Sequence, residues 1–262
     1  MRPAIIAATL AAAALGATTL VHFAQAEVGN SMDPVCAPSG LRLDQTLTRT
    51  RLQLTHGRTL TIVAIGSSST WGAGASSGAA SYPSRLEALL RARFPTIAIR
   101  VLNRGVGGEE EVDMLARFDR DVIAEKPDLV LWQVGSNAIV RNREPATEAA
   151  LIRGGIVRLK QTGADVVLID PQYTAAIVAQ PVAVPIVEMI AAEASAQGVA
   201  TYRRFALMKD WHETQRIPFE AFSIEDDFHM NDWGYDCFAR NLSAAIIDAA
   251  MPTVVASVRA EK

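Results

Sequence analysis

The chain has 262 residues, half of them hydrophobic and 20% charged, enough for one large globular domain or two small ones with a substantial core. Its 25 basic against 28 acidic residues give a formal net charge of -3, which leaves no bulk basic surface for tracking phosphates and excludes nucleic acid as an expected partner. Two cysteines and four histidines are too few for a disulfide scaffold or an obvious structural zinc site.

The N-terminus reads as a targeting segment. Arg2 is a short basic start, residues 5–21 form an uncharged Ala/Leu/Ile-rich run, and Ala24-Gln25-Ala26 supplies a small-x-small cleavage pattern. Cleavage after Ala26 is expected, so that residues 1–26 are a signal peptide and the mature chain is periplasmic or secreted, with no membrane contact after cleavage. An uncleaved anchor is the alternative, because the apolar run is slightly long for a signal core and slightly short for a membrane span. Cys36 follows Asp33-Pro34-Val35, which is not a lipoprotein-processing sequence. Export places Cys36 and Cys237 in an oxidising compartment. They either pair, tying the N-terminal arm to the last helix, or sit as two separate buried thiols.

Residues 27–58 mix Pro34, Pro38, Gly40 and polar residues, and read as an extended arm ahead of the domain. From residue 60 the run LTIVAIG is short, β-branched and wholly apolar, the form of a central parallel strand buried on both faces. Further strands are predicted over 97–102, 129–134, 165–169 and, weakest, 199–205. Helical spacing covers 85–94, 110–125, 147–161 and 186–197, with Pro127 and Gly163 as stop signals, and a last helix runs over about 232–250. Five strands alternating with helices predict a three-layer αβα sandwich on a five-stranded parallel sheet. Residues 59–252 form that domain and 253–262 a C-terminal tail. In such a sheet ligands bind beyond the carboxyl ends of the strands.

The predicted strand ends carry the polar residues. The first ends in Gly66-Ser67-Ser68-Ser69-Thr70-Trp71-Gly72-Ala73-Gly74, a turn that could cradle phosphate, bind a dinucleotide or present a nucleophilic serine. No Gly-Lys-Ser/Thr follows, and Gly72, Gly74 and Gly78 miss the dinucleotide register by one residue. The second ends in Asn103-Arg104-Gly105-Val106-Gly107-Gly108-Glu109, either a tight strand-to-helix turn or a source of oxyanion-binding N–H groups. The third ends in Gly135-Ser136-Asn137, which places an amide donor, or a simple turn cap, at the same rim. A polar loop ahead of the last helix reads Asp226-Asp227-Phe228-His229.

These four blocks, in order across nearly the whole mature chain, resemble those of the SGNH hydrolase superfamily, the GDSL-type esterases and lipases. The resemblance implies the flavodoxin-like SGNH hydrolase fold and a carboxylic ester hydrolase without cofactor or metal. Ser68 would be the nucleophile, His229 the general base and Asp226 its orienting acid. The oxyanion donors would be the N–H groups of Ser68 and Gly108 and the amide of Asn137. Asn231 to Tyr235 resembles the family's Pro-Asn-x-x-Gly-Tyr continuation. Two positions depart from the pattern: Ser67 stands where the first block has Asp, and Ala138 follows Asn137 where Asp is common, which puts the local loop hydrogen bonding in question. Asp227 and His212 are the competing acid and base, and neither has the motif spacing. Trp71, Phe228 and Trp233 are read as packing ahead of substrate platform. The expected substrate is a small-molecule or polysaccharide ester with a short acyl group, acetyl on carbohydrate among them. The alternative is a non-hydrolytic carbohydrate-binding or acyl-transfer protein on the same fold.

Overall fold

The computed structural model describes residues 34–57 and 59–252. In chain order the elements are α1 (Thr48–His56), β1 (Thr59–Gly66), α2 (Ser68–Trp71), α3 (Tyr82–Arg93), β2 (Ala98–Gly105), α4 (Glu111–Ala116), α5 (Phe118–Asp121), β3 (Leu129–Gln133), α6 (Ser136–Val140), α7 (Pro145–Lys160), β4 (Asp165–Ile169), α8 (Ala175–Val178), α9 (Ala183–Gln197), β5 (Ala200–Tyr202), α10 (Arg204–Lys209) and α11 (Asp232–Ala250). All five strands are parallel, in the order β2-β1-β3-β4-β5. This is the flavodoxin-like order, with its switch point between β1 and β3.

Strand periodicity sorts the core into two layers. Leu60, Ile62 and Ala64 of β1, Leu129 and Leu131 of β3, and Val167 and Ile169 of β4 face one cluster, which α1, α3, α10 and α11 complete through Leu54, Leu86, Leu207 and Phe238. Val63 and Ile65, Val130 and Trp132, and Val166 and Leu168 face the other, against Met114 of α4, Ile152 of α7 and Ile190 of α9. Burial on both faces is why these strands read as continuous apolar runs.

Three boundaries differ from expectation, each for a tertiary reason. The segment read as an extended arm contains α1: Asp165, at the start of β4, accepts from the N–H groups of Arg49 (3.2 Å) and Thr50 (2.8 Å), satisfying two donors of a helix whose own sequence signals are weak. The helix expected over 110–125 is broken at Arg117, whose guanidinium turns inward to Glu109, Asp121 and the Gly66 carbonyl. The last strand is only Ala200–Tyr202, because Arg204 starts α10. The expected signal segment and tail, 1–26 and 253–262, lie outside the described residues.

Cys36 and Cys237 form a disulfide between residues 201 apart in sequence, joining the N-terminal segment to α11. Trp233 Nε1 donates to the Pro34 carbonyl at 2.6 Å beside it. A cross-link closing so long a loop acts mainly on the unfolded chain. Reduction, or the double substitution Cys36→Ser/Cys237→Ser, should lower unfolding free energy by about 2–5 kcal/mol, read as a shifted denaturation midpoint in guanidinium.

Candidate active site

The nucleophile candidate sits on the sharp turn between β1 and α2, beside the switch point. Gly66 ends the strand, Ser67 is extended (φ -91°, ψ -150°), and Ser68 opens a four-residue helix that Gly72 ends in the left-handed region at φ 108°. Close approach fixes this turn against its neighbour: a Cβ on Gly105, at the end of β2, would lie 2.0 Å from the Trp71 nitrogen. Asn103 completes the seam, its Nδ2 donating to the carbonyls of Thr70 (2.9 Å) and Trp71 (3.2 Å) while its Oδ1 accepts from Gly105 N–H (2.9 Å).

His229 reaches Ser68 from the loop before α11. Its Nε2 lies 2.8 Å from Ser68 Oγ and its Nδ1 2.5 Å from Asp226 Oδ2. Asp226 Oδ1 also accepts from the N–H groups of Phe228 and His229, both at 2.9 Å, so the acid folds its own loop around the imidazole. Burial alone would raise the Asp226 pKa. The two backbone donors and the ring outweigh it and hold the carboxyl below the usual range. Gly74, at φ +87°, lets the loop after α2 pass here, since a Cβ would lie 2.3 Å from the Met230 carbonyl and 3.3 Å from His229 Cβ. Ser76 then anchors that loop to Asp232, through its N–H (2.8 Å) and its hydroxyl (2.5 Å).

The expected oxyanion donors come from two adjoining turns. One hydrogen of Asn137 Nδ2 goes to the Glu109 carbonyl at 2.8 Å, which fixes the amide plane and leaves the second hydrogen unspent. Gly108 is left-handed at φ +80°, and its carbonyl accepts from Arg141 at 2.9 Å. Arg141 and Arg143 both clasp Glu110, whose carboxyl is held below its usual value chiefly by Arg143.

The rival acid and base are elsewhere engaged. Asp227 is left-handed at φ 57° and turns the loop, its carbonyl accepting from Ala176 N–H. His212 stacks on Phe219 with centroids 3.9 Å apart and bonds the Ile217 carbonyl through Nδ1. Trp233 packs against buried Trp211, as expected, whereas Trp71 is 61% exposed, contrary to its reading as packing.

Sequence reasoning missed the residues beneath the turns. Gln133 Oε1 accepts from Ser67 N–H (2.8 Å) and hydroxyl (2.9 Å), and its Nε2 donates to Ser136 Oγ (3.1 Å). Ser136 Oγ donates to Gln172 Oε1 (2.8 Å), whose Nε2 reaches the Phe228 carbonyl (3.2 Å). Arg204, fully buried, donates to Ser69 Oγ, Gln172 Oε1 and the Asp170 carbonyl, each at 3.0 Å. Gln133 thus supplies the hydrogen bonding of the first turn at Ser67, and the Ala138 side chain is buried in the core. The available signal was a Gln inside an apolar strand and an Arg pair in the weakest one.

Fold and constellation together define an α/β protein with a hydrogen-bonded serine, histidine and carboxylate at the switch point of a parallel sheet. The chain belongs to the Non-GDSL lipase-like family, whose profile matches residues 35–252. That designation agrees with Ser67 standing where the GDSL block has Asp. An acetylxylan esterase of Geobacillus stearothermophilus is 42% identical over 60 residues, a match that spans 23% of this chain and 27% of that one. Among solved structures, Axe2, an acetylxylan esterase from Geobacillus stearothermophilus, superposes with a TM-score of 0.61 at 21% identity, covering 71% of this chain and 94% of the other. A two-domain esterase active on acetylated mannans gives 0.66 at 19% identity, covering 80% of this chain and 56% of that one. At these identities the structures establish the fold.

Two buried carboxyls flank the site. Glu111 Oε1 accepts from Gly135 N–H at 2.5 Å, while Glu111 Oε2 and Glu148 Oε2 are both buried with no donor among the described residues. The Glu111 pKa is pushed up to about 8, by burial first and then by the Glu148 carboxyl beside it. Asp170 moves the same way, to about 7, because it is buried. For Glu111 the unfolded chain releases its proton near 4.5 while the fold keeps it to about 8, so stability falls as pH rises through that window and levels off above it. The melting temperature should therefore decline from about pH 5 to about pH 8, and more shallowly in Glu111→Gln, which stays uncharged.

Proposed function

We propose that the protein is an SGNH-type serine esterase that cleaves short acyl esters, acetyl groups on carbohydrate in particular, through a Ser68-His229-Asp226 triad. The observation that carries this reading is the hydrogen-bonded chain itself: Ser68 Oγ to His229 Nε2 at 2.8 Å and His229 Nδ1 to Asp226 at 2.5 Å, on a sharp turn at a strand end. A neutral serine hydroxyl is a weak nucleophile and needs a base within hydrogen-bond reach. His229 Nε2 accepts the Ser68 proton as Oγ bonds to the ester carbonyl carbon, and Asp226 holds the tautomer and stabilises the imidazolium. As the intermediate collapses, the bond to the alcohol breaks and His229 returns the proton to that alkoxide. A water molecule, deprotonated by the same imidazole, then adds to the acyl carbon; the Oγ–acyl bond breaks, His229 returns the proton to Ser68 Oγ, and the carboxylic acid leaves.

The Ser68 N–H, the Gly108 N–H and the free hydrogen of Asn137 Nδ2 would hold the oxyanion in both halves. None of these steps draws on a metal or organic cofactor. Carbohydrate acetates are favoured because the compared esterases act on acetylated xylan and mannan and share this fold. The Cys36–Cys237 disulfide supports an exported protein, with 1–26 as its signal peptide and 59–252 as the hydrolase domain.

Purified protein should hydrolyse p-nitrophenyl acetate. Ser68→Ala should lose at least about 10³-fold in kcat, Asp226→Asn about 10³–10⁴-fold, and Asn137→Ala about 10²–10³-fold. Wild-type turnover by Ser68→Ala would overturn the assignment of the nucleophile.

A further inference from the structure

The short helix α2 has a buried side and an open side. Ser68, Ser69 and Thr70 are buried at 8%, 1% and 0%, while Trp71, three residues after Ser68 and so its neighbour along the helix surface, stands open to solvent. Trp71 is 61% exposed and is the single exposed aromatic residue among those described. Its indole N–H has no hydrogen-bond partner among them. An indole is one of the largest apolar surfaces a chain can bury, and leaving it in water one helical turn from a nucleophile adds nothing to the core.

The backbone beneath this ring is nonetheless firmly held. Asn103 Nδ2 donates to the Thr70 and Trp71 carbonyls, Gly105 is pressed against the Trp71 nitrogen, and Gly72 N–H closes the helix on the Ser68 carbonyl at 2.9 Å. Val106, 44% exposed, follows β2 next to this seam, its N–H bonded to the Gly66 carbonyl at 3.0 Å. The result is a flat, apolar ring with a polar N–H edge, carried on a firmly held backbone one helical turn from Ser68. A sugar ring has the matching chemistry. One face of a pyranose presents C–H groups of partial positive charge to the negative face of the indole, while its rim of oxygens can take the N–H.

Building on the esterase reading above, we propose that Trp71 is the platform for the sugar ring of the acylated carbohydrate, setting the ester over Ser68. It acts in binding and specificity and takes no part in proton transfer. Binding energy gained on a part of the substrate remote from the reacting carbon is available to orient the ester.

The test compares two acetates, methyl tri-O-acetyl-xylopyranoside and ethyl acetate, in wild type, Trp71→Phe and Trp71→Ala. The ratio of kcat/KM for the sugar ester to that for ethyl acetate should fall about ten-fold or more in Trp71→Ala, mostly through KM, and recover in part in Trp71→Phe. A ratio unchanged within about two-fold overturns the platform while leaving the esterase standing. If wild type cleaves neither ester, the esterase reading fails instead. Calorimetric binding of the same sugar ester to Ser68→Ala, with and without Trp71→Ala, then decides the platform: equal affinities overturn it, and a ten-fold or greater loss supports it. Melting temperatures of the variants identify any that are misfolded.

Discussion

A buried guanidinium organises the floor of the site. Arg204 is fully buried and no carboxylate is hydrogen-bonded to it among the described residues, so its charge must be solvated by neutral oxygens: Ser69 Oγ, Gln172 Oε1 and the Asp170 carbonyl. Burying such a charge costs several kcal/mol unless its donors are met, and burial accordingly lowers the Arg204 pKa. Its acceptors come from two strand ends, after β1 and after β4, and tie in a third. Ser69 lies on the nucleophile turn, Gln172 follows β4 and carries the Phe228 carbonyl of the histidine loop, and Ser136 joins Gln172 to Gln133 under β3. The requirement to satisfy one cation therefore couples the positions of three strand ends. Fully satisfied polar networks are rigid because any displacement leaves a buried group unpaired.

The sheet converts that local coupling into a site. Beyond Gly66 and Gln133, where β1 and β3 separate the two halves of the fold, the chain leaves in opposite directions and opens a crevice. The turns after β1, β2 and β3 line it, and α11 brings the histidine loop across from the far end of the sequence. The disulfide to Cys237 and the bond from Trp233 to Pro34 hold the N-terminal segment on that same helix, so long-range covalent and polar ties converge on the element that follows His229.

What was legible in the sequence followed from burial on both faces and from motif chemistry. LTIVAIG and DVVLI read as interior strands and are, and the last helix, expected over about 232–250, is α11. The candidate serine, histidine and acid stood out through motif blocks that resemble a known family's, and the structure brings the three within hydrogen-bond reach of one another. By contrast, α1 depends on Asp165, more than a hundred positions away, and a break at Arg117 depends on the Gly66 carbonyl. Neither leaves a local trace. In Glu109-Glu110-Glu111 three identical side chains meet three fates, a bond to Arg117, a clasp by two arginines, and burial against Glu148. Only the three-dimensional surroundings separate them. Trp71 was misjudged for the same reason: an aromatic beside a buried strand is ordinarily packing, and here Asn103 and Gly105 occupy the space beneath it.

The fates of these carboxyls also set the electrostatics of the proposed reaction. Asp226 is 41% exposed in its side chain yet kept anionic by two backbone donors and the imidazole, so negative charge stands where the imidazolium forms. Glu111, bonded to the Gly135 N–H two residues before Asn137, is kept protonated near neutral pH by burial and by its neighbour Glu148. An ionised Glu111 at that position would oppose the developing oxyanion through a medium of low dielectric, where charges interact more strongly than in water. The fold places two acids near one reacting centre and drives their protonation states apart, by hydrogen bonding in one case and by desolvation in the other. The carboxyl held anionic is the one left partly in water, and the one held neutral is sealed beneath the turn that carries Asn137.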